Sequence, residues 1–412
     1  MKLLLLLAIF VAPMGANAFS ISLGEVELSL FRMLIILSLA FLLLKGLKHK
    51  IVIFTSQTRY SICFMLLWFI VALVSVLWAE DMGSYIKNLF FLFIGMIAPI
   101  LLLNTFSTLH DFKNVFWAFL AGVFLQSLIG WYEIVFRQYH FVELEGYIKE
   151  YYTTGADRIP IAMCGNPNDF ATLMMFGSFV AFACLLLAKS RIAKLFCFGM
   201  MANCALLIIM TTSRANLLGW MIGAGVLVLL SKRKKQILPI VITLGIILAP
   251  VAIWIVWGYF QEKIGMGEGS DFVRLNLIKN GFVFLKRTFG FGVGAGQIGY
   301  WMKERAIYPT DGISDMHNWW MECLTGYGVL LFVCYLVFYA RLFLSFFATA
   351  NHSKNHQAKS YAVALCAIMA GFVIASISSS SNITSEWLWM FWGMAILLQS
   401  MLKNREPLPS AL

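Results

Sequence analysis

Charge is what this sequence has least of. Only 12% of its 412 residues are charged, about half the share of an ordinary soluble domain. That shortage excludes a solvated globular enzyme. It also deprives the formal net charge of +11 of its usual reading as a nucleic-acid footprint, so no nucleic-acid partner is expected. Metal-ligand spacing is missing too. The eight cysteines, Cys63, Cys164, Cys184, Cys197, Cys204, Cys323, Cys334 and Cys366, are scattered and form no CxxC or Cys/His pattern, so neither a zinc site nor a disulfide framework is expected. Internal repeats, low-complexity tracts and a separate soluble domain are absent as well.

What fills the chain is apolar: 61% of residues are hydrophobic. Runs of membrane-spanning length recur from end to end, as in an all-α polytopic membrane protein. Twelve spans are expected, near 3–19, 29–46, 60–79, 84–103, 114–136, 161–187, 194–212, 215–231, 237–259, 326–348, 360–379 and 385–402. The first imitates a signal peptide, with Lys2 before a short apolar core and Ala-Asn-Ala before Phe19. Reading it as a helix makes the charges consistent. With the N-terminus inside, 18 of the 31 Lys/Arg fall on inner segments, Lys232 to Lys235 among them. Of the 20 acids only Asp111 and Glu406 join them. This follows the positive-inside rule and places both termini in the cytoplasm. Two long segments, 137–160 and 261–325, then face outward from a single membrane domain covering 1–412.

The segment 261–325 is rich in Phe, Leu, Trp and Gly, which suits a folded cap and not a disordered tail. It holds Arg274 in an amphipathic run that Ser270 could cap, and His317 in Ser-Asp-Met-His-Asn-Trp-Trp. Other polar groups on the same face are Arg158, Arg214 in Thr-Thr-Ser-Arg-Ala-Asn, and the turn Gly165-Asn166-Pro167-Asn168-Asp169. The spans themselves hold almost no charge. A planar, permanently charged guanidinium matches phosphate oxygens bidentately, and a lipid-linked sugar presents a diphosphate at the membrane surface. Arginines fixed there would stabilise a leaving diphosphate, and a histidine could orient or deprotonate an acceptor hydroxyl. Each residue also has a plain structural use. Arg214 suits a helix end or a lipid-phosphate anchor, Arg274 a solvated helix face, His317 interfacial packing, and Asn166 to Asp169 a helix start. The run Gly290-Phe-Gly-Val-Gly-Ala-Gly296 follows no strand, so it reads as close packing or a tight turn, not a dinucleotide site.

At these residues the chain resembles the bacterial O-antigen polymerase and O-antigen ligase superfamily. The matching pieces are Gly165 to Asp169, Ser213-Arg214, Arg274, Gly290-x-Gly-x-Gly294, and His317-Asn318 followed by Glu322, Gly326 and Gly328. It looks most like the branch that polymerises teichuronic acid or capsular repeat units. The resemblance implies a GT-C-like, metal-independent glycosyltransferase without cofactor in the bacterial plasma membrane, working on the extracytoplasmic face. Its donor would be a glycan on undecaprenyl diphosphate, and its acceptor another glycan or lipid-linked unit, or lipid A–core in a ligase. Arg214, Arg274 and His317 would be catalytic. Arg158, Asn166, Asn168, Asp169 and Asn318 are the expected substrate-binding residues, although the family offers no secure counterpart for Arg158. A transporter or flippase for lipid-linked glycan is the rival reading.

Overall fold

The computed structural model describes residues 1–17, 19–24, 26–48, 50–144, 146–155, 158–231 and 270–402. The expected span 237–259, the cation run Lys232 to Lys235, the first part of the 261–325 loop, and Glu25, His49, Lys403, Arg405 and Glu406 lie outside those residues.

Helices dominate. They are α1 (Lys2–Val11), α2 (Leu30–Gly46), α3 (Arg59–Val74), α4 (Met82–Thr105), α5 (Leu109–Phe136), α6 (Gly146–Thr154), α7 (Pro167–Leu187), α8 (Arg191–Met210), α9 (Arg214–Leu230), α10 (Ser270–Arg287), α11 (Ile298–Arg305), α12 (Trp319–His352), α13 (His356–Ala375) and α14 (Glu386–Met401). An unanticipated antiparallel hairpin, β1 (Ser20–Leu23) and β2 (Val26–Ser29), links α1 to α2, with Ser20 opposite Ser29.

Seven helices among the described residues are long and apolar enough to cross a membrane. They match the expected spans from 60–79 to 194–212, and then 326–348 and 360–379. The remaining described candidates are shorter: α1, α2, α9 and α14. At 17 residues α9 reaches about 25 Å, slightly short of the roughly 30 Å hydrocarbon core. The chain is thus a multi-pass helical membrane protein with seven full-length spans in view, against the twelve expected.

Side-chain caps start seven of these fourteen helices. Asp81 accepts from Ser84 N at 3.1 Å. Thr108 and Asp111 form a reciprocal capping box. Asn166 precedes Pro167 at the first turn of α7, and Asn355 accepts from Gln357 N and Ala358 N. α7 and α13 form the centre, with 78% of each apolar window buried, whereas α8 has 28% and lies at the rim. α9 crosses α13 at Gly219 and Gly371; a Cβ on Gly219 would stand 2.6 Å from Gly371 O. Small residues at a crossing let membrane helices pack by backbone contact.

Polar pairs mark two ends of the bundle. At one, Lys2 pairs with Asp111 at 2.8 Å, Asn104 bridges to Val52, and Ser61 donates to Gln399. At the other, Gln297 holds the backbone of Glu80 and Asp81, Asn17 donates to Met163 O, and the candidate site assembles. The expected scarcity of charge within the spans needs correction. Arg32, Glu133, Asp169, Glu322 and Glu386 are all buried. Each lies on a helix's outermost turns at this second end, where backbone amides and hydroxyls stand ready to satisfy it.

Candidate active site

The start of α7 supplies the first wall. Asn166 spends its side-chain oxygen on Asn168 N, 2.8 Å away. Asn168 accepts from Ser213 Oγ at 2.6 Å, which ties α7 to the residue just before Arg214. Asn216, one turn further along α9, donates to Asn168 O at 3.0 Å and to Ser213 Oγ at 2.9 Å. Asp169 is buried and accepts from both the backbone and the hydroxyl of Ser380. Arg214 itself is exposed at the first position of α9.

The start of α12 supplies the second wall. Asn318 caps it, accepting from Trp320 N at 3.1 Å and Met321 N at 3.2 Å. Glu322 accepts from Ser381 Oγ and from Asn382 N at 3.0 Å. Trp319 N donates to Ser376 O at 2.9 Å. One serine-rich segment, 376–385, therefore binds the starts of α7, α9 and α12; Ser378 completes the set as a partner of Asn216 at 3.3 Å.

His317 stands at the edge of this cluster in the left-handed region, with φ of 47°. A non-glycine residue held there is strained, and such strain gathers at functional sites. Its Nδ1 is buried with no hydrogen-bond partner, a group that calls for a reason. Burial holds the imidazole below its ordinary 6.5; nearby Arg274 pushes the same way, and Asp315 opposes them. Asp315 is also within electrostatic range of Asp169 and Glu322. His317, Arg274, Asp315, Glu322 and Asp169 thus share one neighbourhood, in which a neutral imidazole has an unengaged ring nitrogen.

The cap forms as a folded unit with its own apolar core of Val273, Leu277, Phe284, Val293, Trp301, Met302, Met316 and Met321. Asn276 and Asn280, one turn apart on α10, grip the stretch that leads to His317. Asn276 donates to Pro309 O at 3.0 Å, and Asn280 bonds Ile307 N and Tyr308 N at 2.9 and 3.0 Å. The glycine run fills a gap in α12, where Gly328 breaks the helix with φ 83°. Val293 N and Gly294 N donate to Thr325 O and Gly326 O, and Val329 N donates to Gly290 O, all at 2.9 Å. Close packing, not nucleotide binding, accounts for these glycines.

Not every expected site residue joins this group. Arg158 is exposed and donates to Ile134 O at 3.1 Å, at the end of α5. Asn166 and Asn318 have committed their oxygens to caps, so each has only its amide NH2 to offer a ligand. Sequence reading overlooked the 376–385 segment and Asn216, and it gave Glu322 no site role. The signal existed: four consecutive serines, Ser378 to Ser381, between two apolar runs.

Residues 199–336 match the family model described as O-Antigen ligase. That range contains Arg214, Arg274, His317 and Asn318, and it leaves out the α7 start. The chain is also 26% identical to "Teichuronic acid biosynthesis protein TuaE" of Bacillus subtilis (strain 168), over 95% of its own length and 82% of the relative's. The chain is thus similar to the O-antigen ligase family over residues 199–336 and, over most of its length, to a teichuronic acid biosynthesis protein.

Proposed function

We propose that this protein is a membrane glycosyltransferase that moves glycan from undecaprenyl diphosphate at the outer face of the plasma membrane, polymerising or ligating surface polysaccharide. The observation that carries the proposal is His317. Its backbone is strained, and its imidazole is buried at Nδ1 and within electrostatic range of Arg274, inside the stretch that matches the family. In the reaction, an acceptor hydroxyl attacks the anomeric carbon as its proton passes to His317. The bond to the diphosphate breaks, and its electron pair leaves with the phosphate oxygen. Arg214 and Arg274 would receive that growing negative charge in bidentate forks, stabilising the transition state more than the ground state. The cap would hold His317 in place and keep water from competing as acceptor.

The relative's name in teichuronic acid biosynthesis favours repeat-unit polymerisation over ligation, which would transfer finished chains to lipid A–core or another surface acceptor. The arginines take the part that a divalent cation plays elsewhere, so the enzyme is metal-independent in this reading. Transfer should survive EDTA; abolition by EDTA with rescue by magnesium would reverse that point. The decisive experiment incubates purified protein in detergent with undecaprenyl-diphosphate-linked glycan. Lengthened or transferred glycan is expected with no membrane to cross, and a transporter would give none. A mutant cell that keeps single repeats but lacks long chains would indicate the polymerase, and loss of all attached glycan the ligase.

A further inference from the structure

Beside Asp169 opens a cavity of about 230 Å³ that the reaction above does not use. It lies between the segment after α1, the β hairpin, α4 and the loop before α14. Its wall mixes hydrogen-bonding groups of both kinds with two large aromatics, Phe91 and Trp387, of which Phe91 lies under the Arg32 guanidinium. Glu386 is 4% exposed and pairs with the equally buried Arg32 at 2.8 Å. Ser29 donates to the same carboxylate oxygen at 2.5 Å. The other oxygen, Oε2, is buried with no partner. Lys87 also lines the cavity, half-buried in α4 and without a hydrogen bond or ion pair among the described residues. Thr384 and Ser385 add hydroxyls, and Trp387 adds an indole.

We propose that this cavity binds a single neutral sugar ring of the glycan substrate. The volume falls below the roughly 300–1,000 Å³ of sites for drug-sized ligands, which leaves room for one ring and not for a chain. Interleaved donors and acceptors suit vicinal hydroxyls, each of which both donates and accepts. A sugar hydroxyl donates to Glu386 Oε2 while a neighbouring hydroxyl accepts from Lys87. The ring's apolar C–H face lies against Trp387. Charge selects the ring: Glu27, Asp169 and Glu386 all line the cavity, so three carboxylates face two cations and a uronate is disfavoured. Because Asp169 belongs both to this wall and to the polar cluster near His317, a ring seated here lies next to the reacting end of the substrate.

The subsite rests on the transferase reading, but its test needs no turnover. Purified protein in detergent is probed by saturation-transfer NMR with methyl glucopyranoside, methyl N-acetylglucosaminide and methyl glucuronide. A neutral pyranoside should take up saturation from the wild type, and the glucuronide less. Ala16→Trp, at a partly exposed position on the cavity wall, should abolish the signal by filling the space. Lys87→Met should weaken binding roughly tenfold, as expected for one lost charged hydrogen bond. In the transfer assay both variants should raise KM for the glycan and leave kcat and binding of a lipid diphosphate analogue unchanged. Lys87→Met carries the test if Ala16→Trp does not reach the membrane. Silence from both neutral pyranosides, a stronger signal from the glucuronide, or wild-type signals in the variants would overturn the subsite. Absence of transfer in a wild type that still binds the pyranoside would overturn the transferase reading alone.

Discussion

His317 is the residue whose surroundings make the sharpest demand. A histidine pKa held below the unfolded value means that the unfolded chain binds more protons in the window between the two. Stability from this group is therefore fully present above about 6.5 and is lost as pH falls through the folded value. The same shift keeps the base neutral in mildly acid solution. The acid limb of kcat/KM should thus lie below 6.5 and vanish in His317→Ala, which should cost about 10²–10⁴ in rate while retaining donor binding. An acid limb above 6.5 that persists in the variant would assign it to another group. The arginines call for a different substitution. Lys keeps the charge but loses the fork, so Arg214→Lys and Arg274→Lys should each lower turnover about 10²–10³-fold. Near-wild-type transfer by both, at normal membrane abundance, would sink the diphosphate clamp. These three candidates stood out in the sequence because a polar or charged group is conspicuous in so apolar a chain. The serine segment was not. Ser376 to Ser379 are tolerated at the end of an apolar run, so the expected span 360–379 absorbed the first four residues of the segment that joins the starts of α7, α9 and α12.

At the scale of elements, α12 and the cap depend on each other. The helix breaks at Gly328, and the glycine run supplies hydrogen bonds around the break. A Cβ on Gly328 would meet Gly290 O at 2.4 Å and Phe291 C at 2.5 Å. The backbone at φ 83°, ψ 173° lies in a region essentially reserved for glycine and costs another residue about 1–3 kcal/mol, and the overlap with backbone atoms cannot be relieved by a rotamer change. Gly328→Ala should therefore lower thermal stability in detergent and loosen the cap, seen as faster proteolysis within 290–318. A midpoint and cleavage pattern like the wild type's would show that the break is incidental. Asn280→Ala should act on the cap alone. It leaves Ile307 N and Tyr308 N without their partner, a loss of about 1–3 kcal/mol, and should reduce kcat by displacing His317 with donor affinity kept. Sequence periodicity anticipated the amphipathic α10 and a folded cap. It started the following span at 326, seven residues late, because Asn318 and Glu322 read as loop residues. In the fold, Asn318 is the cap and Glu322 lies buried in the first turn.

For the whole molecule the argument turns on which end faces out. The two ends of the bundle are fixed by contacts: Lys2, Asp111, Ser61 and Gln399 gather at one, and Asp81, Asn168, Ser213, Gln297 and Ser380 at the other. This division reproduces the one drawn from loop charges, so most of the architecture was present in the distribution of Lys and Arg. Charge counting could not reveal how short several spans are, nor that acids lie buried in the outermost turns. The contacts are symmetric with respect to sidedness, and only the cation bias assigns the site end to the exterior. Single-cysteine labelling tests that assignment. Lys303 on α11 and Lys189 between α7 and α8 are both exposed, so Lys303→Cys and Lys189→Cys are readily reached. The native cysteines are free, five of them are buried and only Cys63 is exposed, so background stays low once Cys63 is replaced. A membrane-impermeant maleimide should label position 303 in intact cells and position 189 only after lysis. The reverse pattern would put the His317 face in the cytoplasm, where a donor already flipped outward could not reach it, and the proposed reaction would fall with the orientation.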